Sequence, residues 1–366
     1  MQIDVATRKG LFHVRKSGAD WTISDVSFLA DNVSLTMTDL RSGNTFAALD
    51  HGHFGVKLHR RKPGGEWEEL AAPAFPPKPE GLVDLDGWGR ELPWTVMRVW
   101  ALEPGGADQP GLIWCGTIPG GLFRSDDNGD SWSLVKGLWH HPSRNKWMGG
   151  GADWPGIHSI CVDPRDSKVV RVAVSCGGVW TTRDSGETWT CTANGMRAEF
   201  MPPDQADQGE TQDPHFMTQS RTSPDRLWVQ HHNGIFISSD GSASWREIHE
   251  AGPSTFGFPV AVHPNDGDTA WFVPGIKDEK RIPVEGALAV TRTRDGGRTF
   301  ETLRHGLPQV HAYDVVLRHA LDVDSTGNFL AFGSTTGGLW VSEDQGDHWT
   351  MVSHTLPPVY GVRFAA

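Results

Sequence analysis

The sequence predicts an all-β fold, a seven-bladed β-propeller of four-stranded blades, over residues 1–366 as one closed domain. Three observations carry this. A turn of the form Ser/Thr-x-Asp-x-Gly-x-x-Trp recurs along the chain, in full at Ser125-Asp127-Gly129-Trp132, Thr182-Asp184-Gly186-Trp189 and Ser342-Asp344-Gly346-Trp349. Its aromatic anchors stand at positions 21, 67, 132, 189, 245, 300 and 349, a period of roughly 45–65 residues. Between anchors lie short apolar runs rich in Val, Ile and Trp, about four per period, bounded by turn residues.

Each part of the turn has a physical reason. Asp accepts backbone N–H groups across the bend, Gly adopts a backbone shape that resists a side chain, and Trp buries itself behind. Thr293-Asp295-Gly297-Phe300 exchanges indole for phenyl, and Ser238-Asp240-Ser242-Trp245 lacks the Gly. Lys62-Gly64-Trp67 and Lys16-Gly18-Trp21 have lost the Asp. One unit read closely gives strands over 158–163, 169–175, 178–182 and 188–191. The ends complement each other: residues 359–364 read as a first strand with nothing after it, and residues 2–26 as strands two to four with nothing before them. Together they form one blade and remove the free sheet edges.

These turns resemble the Asp-box (BNR) repeat of sialidases and sialidase-like bacterial proteins, over the whole chain. The resemblance implies the propeller fold. It implies activity much less, because the same box serves glycosidases, sorting receptors and assembly factors. Sialidase chemistry would further imply an arginine triad, a Tyr nucleophile with a Glu, an acidic proton donor, and a Phe/Tyr-Arg-Ile-Pro motif near the N-terminus. Here Arg-Ile-Pro stands at 281–283, late in the chain. Arg8, Arg98, Arg144, Arg221, Arg318 and Arg363 stand in no such motif, and Tyr313 and Tyr360 are the two Tyr. Strict sialidase activity is not expected.

Composition bounds the rest. A net charge of −12 argues against a nucleic-acid groove. No run approaches the ~20 apolar residues of a membrane span, and the N-terminus reads as a strand, not a signal segment, so the expectation is a cytoplasmic protein. The four Cys show no CxxC spacing and read as free thiols.

In each blade the turn after strand two and the link to the next blade share one face, and that face carries the long insertions. Function is expected there. Its candidates are the turn Asp50-His51-Gly52-His53, the loop 71–96 with Asp84, Asp86, Glu91 and Trp94, and the loop 137–157 with His140, His141, Arg144, Trp147 and a Gly149–Gly151 run that lets the chain dip toward the axis. The insertion 192–214 reads as partly mobile. His158, His215 and His311 are placed at the heads of innermost strands, His231 and His232 at a blade tip, and Tyr313 and Asp314 at the start of the last full blade.

The ring of imidazoles suggests two chemistries. His141, Arg144, His158 and His232 are the catalytic candidates, with Asp50, His51, Trp94, Trp147 and Tyr313 contacting a small polar or carbohydrate-like substrate. His53, His158 and His232 are the candidates for holding a divalent Zn, Fe, Cu or Mn ion. Without metal, the same His serve as general acids or bases and Arg144 holds an anion. A glycosidase would need two carboxylates flanking a cleft; Asp50, Asp84, Asp86, Glu91, Asp153, Asp213 and Asp314 are available. The expectation is a hydrolase or lyase. The alternative is a non-catalytic propeller that binds a ligand or protein.

Overall fold

A computed structural model describes residues 1–365. It contains seven four-stranded antiparallel sheets. Blade one joins Val359–Ala365 to Gln2–Thr7, Gly10–Ser17 and Asp20–Ser27, so the last strand pairs with the first. Blade two runs Val33–Asp39, Asn44–Asp50, Val56–Arg61 and Trp67–Leu70. Blade three begins at Arg98–Pro104, blade four at Gly156–Val162, blade five at Pro214–Gln219, blade six at Gly257–His263 and blade seven at Leu321–Val323. These seven first strands pack side by side around the axis.

The recurring turns explain why the blades form where they do. In blade four the Thr182 hydroxyl donates to Asp184 Oδ1 (2.7 Å) and accepts the Gly186 N–H (2.9 Å). Asp184 then accepts the Thr188 N–H (2.9 Å) and hydroxyl (2.5 Å). The same bonds recur at Ser125, Ser238, Thr293 and Ser342. Gly186 has φ +99°. Ser242 occupies the equivalent position at φ 72°, a left-handed conformation that disfavours a Cβ. Its hydroxyl contacts the Thr181 and Thr192 hydroxyls of blade four at 3.1 and 3.3 Å. The missing Gly therefore supplies a contact between blades.

Side chains of second strands also reach across between blades. Trp228 Nε1 donates to the Gly267 carbonyl (2.9 Å) and Trp271 Nε1 to Gln345 (2.8 Å). The two turns without Asp do likewise, through Trp21 to Glu343 and Trp67 to Ser27. Arg171 is fully buried and bonds the Gly241 carbonyl (3.0 Å) and Asp163 (3.3 Å).

The channel is filled near its middle. His319 Nε2 donates to the His158 carbonyl across the axis (2.8 Å), the Phe216 ring lies edge-on to His319, and Trp100 lies edge-on to His158. Two sequence expectations need correction here. Blade seven begins at Leu321, so His311, Tyr313 and Asp314 lie in an irregular segment that precedes it. The insertion 192–214 is packed, with Met196, Ala198 and Ala206 buried. All four Cys are free. No helix among the described residues is long and apolar enough to cross a membrane.

Candidate functional site

On the insertion-bearing face the two long loops clasp each other. Arg144 donates to Asp84 (2.6 Å) and to the Trp139 carbonyl (2.5 Å), and its guanidinium lies over the Trp139 ring. Gly87 N–H donates to the Trp147 carbonyl (2.7 Å), where a Cβ would meet the Lys146 carbonyl oxygen at 2.5 Å. Trp94 Nε1 donates to Asp84 (2.8 Å).

The Gly149–Gly151 run then dips toward the axis. A Cβ at Gly150 would lie 2.2 Å from Cys176 Sγ and 3.5 Å from Asp213 Oδ2. At Gly151 it would lie 2.3 Å from Arg318 Nη2. Only bare backbone fits this path.

Beneath that loop lies the cluster that defines the mouth. Asp213, just before the first strand of blade five, is buried. Its Oδ1 accepts the Cys176 N–H (3.0 Å) and the Ser175 hydroxyl (3.2 Å). Cys176 takes φ 48° to make this contact, a conformation uncommon outside Gly. Asp213 Oδ2 faces His232 Nδ1 at 3.4 Å and His215 Nε2 at 3.6 Å. The His215 ring is stacked on Phe258, and its Nδ1 donates to the Gly257 carbonyl (2.7 Å). Among the described residues these three are the group of His, Cys, Asp or Glu whose donor atoms converge, all within 4.8 Å of one another.

Arg318 completes the mouth. It is 6% exposed, its guanidinium lies over the Trp100 and Phe258 rings, and its Nε and Nη2 are sealed without a hydrogen-bond partner. Burial draws its pKa down to about 10. Burial works to raise the Asp213 pKa, but the His215 and His232 imidazoles and the Arg318 charge outweigh it and hold the carboxyl well below the usual range. Burial works to lower His232, and the Asp213 carboxylate outweighs it in turn.

The expected site residues are distributed differently from this cluster. His232 belongs to it. His158 is 1% exposed, and both ring nitrogens are committed, to the Ser159 hydroxyl and the Pro214 carbonyl at 2.8 Å each. It fastens blade four to blade five and leaves no lone pair for an ion. The trio His53, His158 and His232 therefore does not assemble. His53 is exposed and packs on Phe54. His141 Nδ1 accepts the Ser143 N–H (3.2 Å) at the start of a short 3₁₀ turn.

Arg144 is spent on Asp84, and Trp147 is buried against Trp180. Asp50 pairs with Arg98 (2.8 Å) and His51 faces Asp31 at 3.7 Å. Tyr313 is 59% exposed. Sequence reasoning named Asp213, His215 and Arg318 separately but did not join them; the signal was an acid one residue from a strand-head His, Asp213-x-His215.

No family model matches the chain. An oligoxyloglucan-reducing end-specific xyloglucanase of Emericella nidulans is 25% identical over 260 residues, covering 65% of this chain and 30% of that protein. Sortilin of Rattus norvegicus is 30% identical over 155 residues, 40% of this chain and 16% of sortilin. The chain thus spans less than a third of the length of these curated relatives.

Among solved structures, an ancestral GH74 enzyme superposes with a TM-score of 0.56 at 17% identity, over 87% of this chain and 38% of that one. YCF48 bound to D1 peptide gives 0.52 at 15% identity, over 87% and 82%. Both likenesses are of fold.

Proposed function

We propose that the protein is a hydrolase or lyase acting on a small polar, carbohydrate-like substrate at the mouth formed by Asp213, His215, His232 and Arg318. The observation that carries this is Arg318, a buried guanidinium without a partner. A buried charge is costly unless something neutralises it, and an anionic group such as a sugar carboxylate would pair with it in the planar, forked geometry Arg favours. Beside it, the converging Asp213, His215 and His232 supply the groups that bond cleavage requires. The likeness to a xyloglucanase over 65% of the chain supports a carbohydrate-like substrate.

Screening neutral and acidic oligosaccharides for cleavage tests this reading. An active substrate should lose about 100-fold or more in kcat/KM on Arg318→Met, the scale seen when a charge-stabilising donor is removed, and little on His53→Ala. Unchanged turnover by Arg318→Met would place the reaction elsewhere.

A second reading, a ligand-binding scaffold without catalysis, has its own observation. A groove of about 640 Å³ lies between the loop 71–96 and Trp154, lined by Phe75, Pro76, Lys78, Glu91 and Trp94. Saturable binding there, abolished by Trp94→Ala while the screen stays silent, would favour it.

A further inference from the structure

The spacing within the Asp213 cluster is what needs explaining. An N–H···O hydrogen bond to a carboxylate closes to about 2.7–2.9 Å, yet His232 and His215 stand 3.4 and 3.6 Å from the same oxygen, Asp213 Oδ2. The His215 tautomer makes the point sharper. A carbonyl can only accept, so the Gly257 carbonyl at 2.7 Å requires the proton on Nδ1. In the neutral ring, Nε2 then turns a lone pair toward a carboxylate lone pair. Two acceptors facing each other in a buried site repel unless a proton or a metal ion sits between them.

We propose that Asp213 Oδ2, His215 Nε2 and His232 Nδ1 bind one divalent transition-metal ion, of the class that takes mixed nitrogen and oxygen ligands in tetrahedral geometry, with a fourth position open. The distances fit. With metal–nitrogen and metal–oxygen bonds of about 2.0–2.2 Å, two ligands on a tetrahedral ion stand roughly 3.3–3.5 Å apart. Two imidazoles and one carboxylate are also a donor set that zinc and ferrous iron accept while leaving room for water or substrate.

The surroundings orient each ligand as metal sites require. The Gly257 carbonyl fixes the His215 ring, with Phe258 stacked on its face. Ser175 and the Cys176 N–H hold Asp213 Oδ1, which turns Oδ2 inward. The His232 N–H donates to the Asp213 carbonyl (3.0 Å), tying the two ligands' backbones together. Gly150 passes close enough to Asp213 Oδ2 that a side chain there would intrude on the ion's space. With the ion bound, Arg318 leaves the mouth net positive, which suits an anionic substrate or a metal-bound hydroxide.

The inference deepens the hydrolase reading and rests on the same mouth being the working site, but its test is independent of turnover. The whole protein, stripped with a chelator and dialysed, is titrated with Zn²⁺ by calorimetry and with Co²⁺ by visible absorption. One Zn²⁺ per chain is expected, and Co²⁺ should give the intense visible bands of four-coordination.

His232→Ala is the informative variant, because His232 is half-buried and its loss leaves the stacking of His215 on Phe258 and the bond from His215 Nδ1 to the Gly257 carbonyl in place. It should weaken Zn²⁺ binding at least about 100-fold while the melting temperature without metal stays within a few degrees. Asp213→Asn should do the same, and His53→Ala should do nothing. Wild-type protein that binds Zn²⁺ no better than His232→Ala overturns the proposal. So does binding that survives all the variants. A bound ion with no cleavage of any substrate sinks the hydrolase reading alone. Cleavage by a protein that takes up no metal sinks the metal site alone.

Discussion

The two faces of the ring use the same kinds of polar residue to opposite ends. On the Asp-box face the box hydroxyls, carboxylates and backbone N–H groups bond one another and the pattern repeats. Thr182, Asp184 and Gly186 satisfy one another, and Arg171, fully buried, is met by Asp163 and two acceptors from the next blade. On the insertion-bearing face the pattern breaks. Arg318 is buried with Nε and Nη2 unpartnered, and two imidazoles crowd one carboxylate oxygen at 3.4 and 3.6 Å. Repeated bonds that close on themselves mark structure, and a buried charge with unmet demand marks a place where something binds.

The strongest way to break this contrast is to remove one buried arginine from each face. Arg171→Ala should lower the unfolding free energy by about 2–4 kcal/mol, because it leaves a cavity and unpairs the Gly241 carbonyl and the Ser242 hydroxyl, while Asp163 keeps Arg165. Arg318→Met should be neutral or stabilising by roughly 1 kcal/mol, because it deletes a buried charge whose Nε and Nη2 no hydrogen bond satisfies. Denaturant titration of both variants decides it. Equal destabilisation would mean that Arg318 has a structural partner after all.

A smaller effect sharpens the assignment of the axial histidines as structural. Burial, with the Arg363 charge second, draws the His319 pKa down to about 3. The unfolded chain takes up that proton near pH 6.5, whereas the folded one resists until about 3. The contribution is therefore fully present above pH 6.5. It falls by about 1.4 kcal/mol per unit as the pH drops through that window. His319→Gln keeps a donor for the His158 carbonyl and should flatten the slope by that amount between pH 6 and 4.5. An unflattened slope would mean that His319 is not held neutral.

The smallest expected effect tests the repeat itself. Thr182→Val and Thr293→Val each remove a hydroxyl that accepts the N–H of the box Gly. Each should cost about 1–2 kcal/mol, and the two costs should agree within about 0.5 kcal/mol if the boxes are equivalent units. A large disparity in thermal unfolding would show that the boxes differ in ways their geometry hides.

The sequence disclosed the ring and blurred its mouth for one physical reason. Box bonds join residues two to four apart, so Ser125, Asp127 and Gly129 announce themselves in a short window. Blade-one closure was legible because an orphan strand at each end has one natural partner. The mouth is assembled from residues far apart in sequence, namely Gly150, Cys176, Asp213, His232 and Arg318. No local pattern says that His158 will spend both nitrogens on its neighbours while His232 spends neither on a carbonyl. Arg144 looked available because Asp84, sixty residues away, carries no sign of pairing with it.

The pairing of Gln2–Thr7 with Val359–Ala365 also bears on how the protein is made. The first strand leaves the ribosome with one edge bare, and its partner follows about 350 residues later. At roughly 5–20 residues per second that edge waits on the order of tens of seconds, through the synthesis of six other blades. Until then the ring is an open arc with a template for unwanted strand addition along Gln2–Thr7. The arrival of Val359–Ala365 covers that edge and ends the exposure in one pairing step.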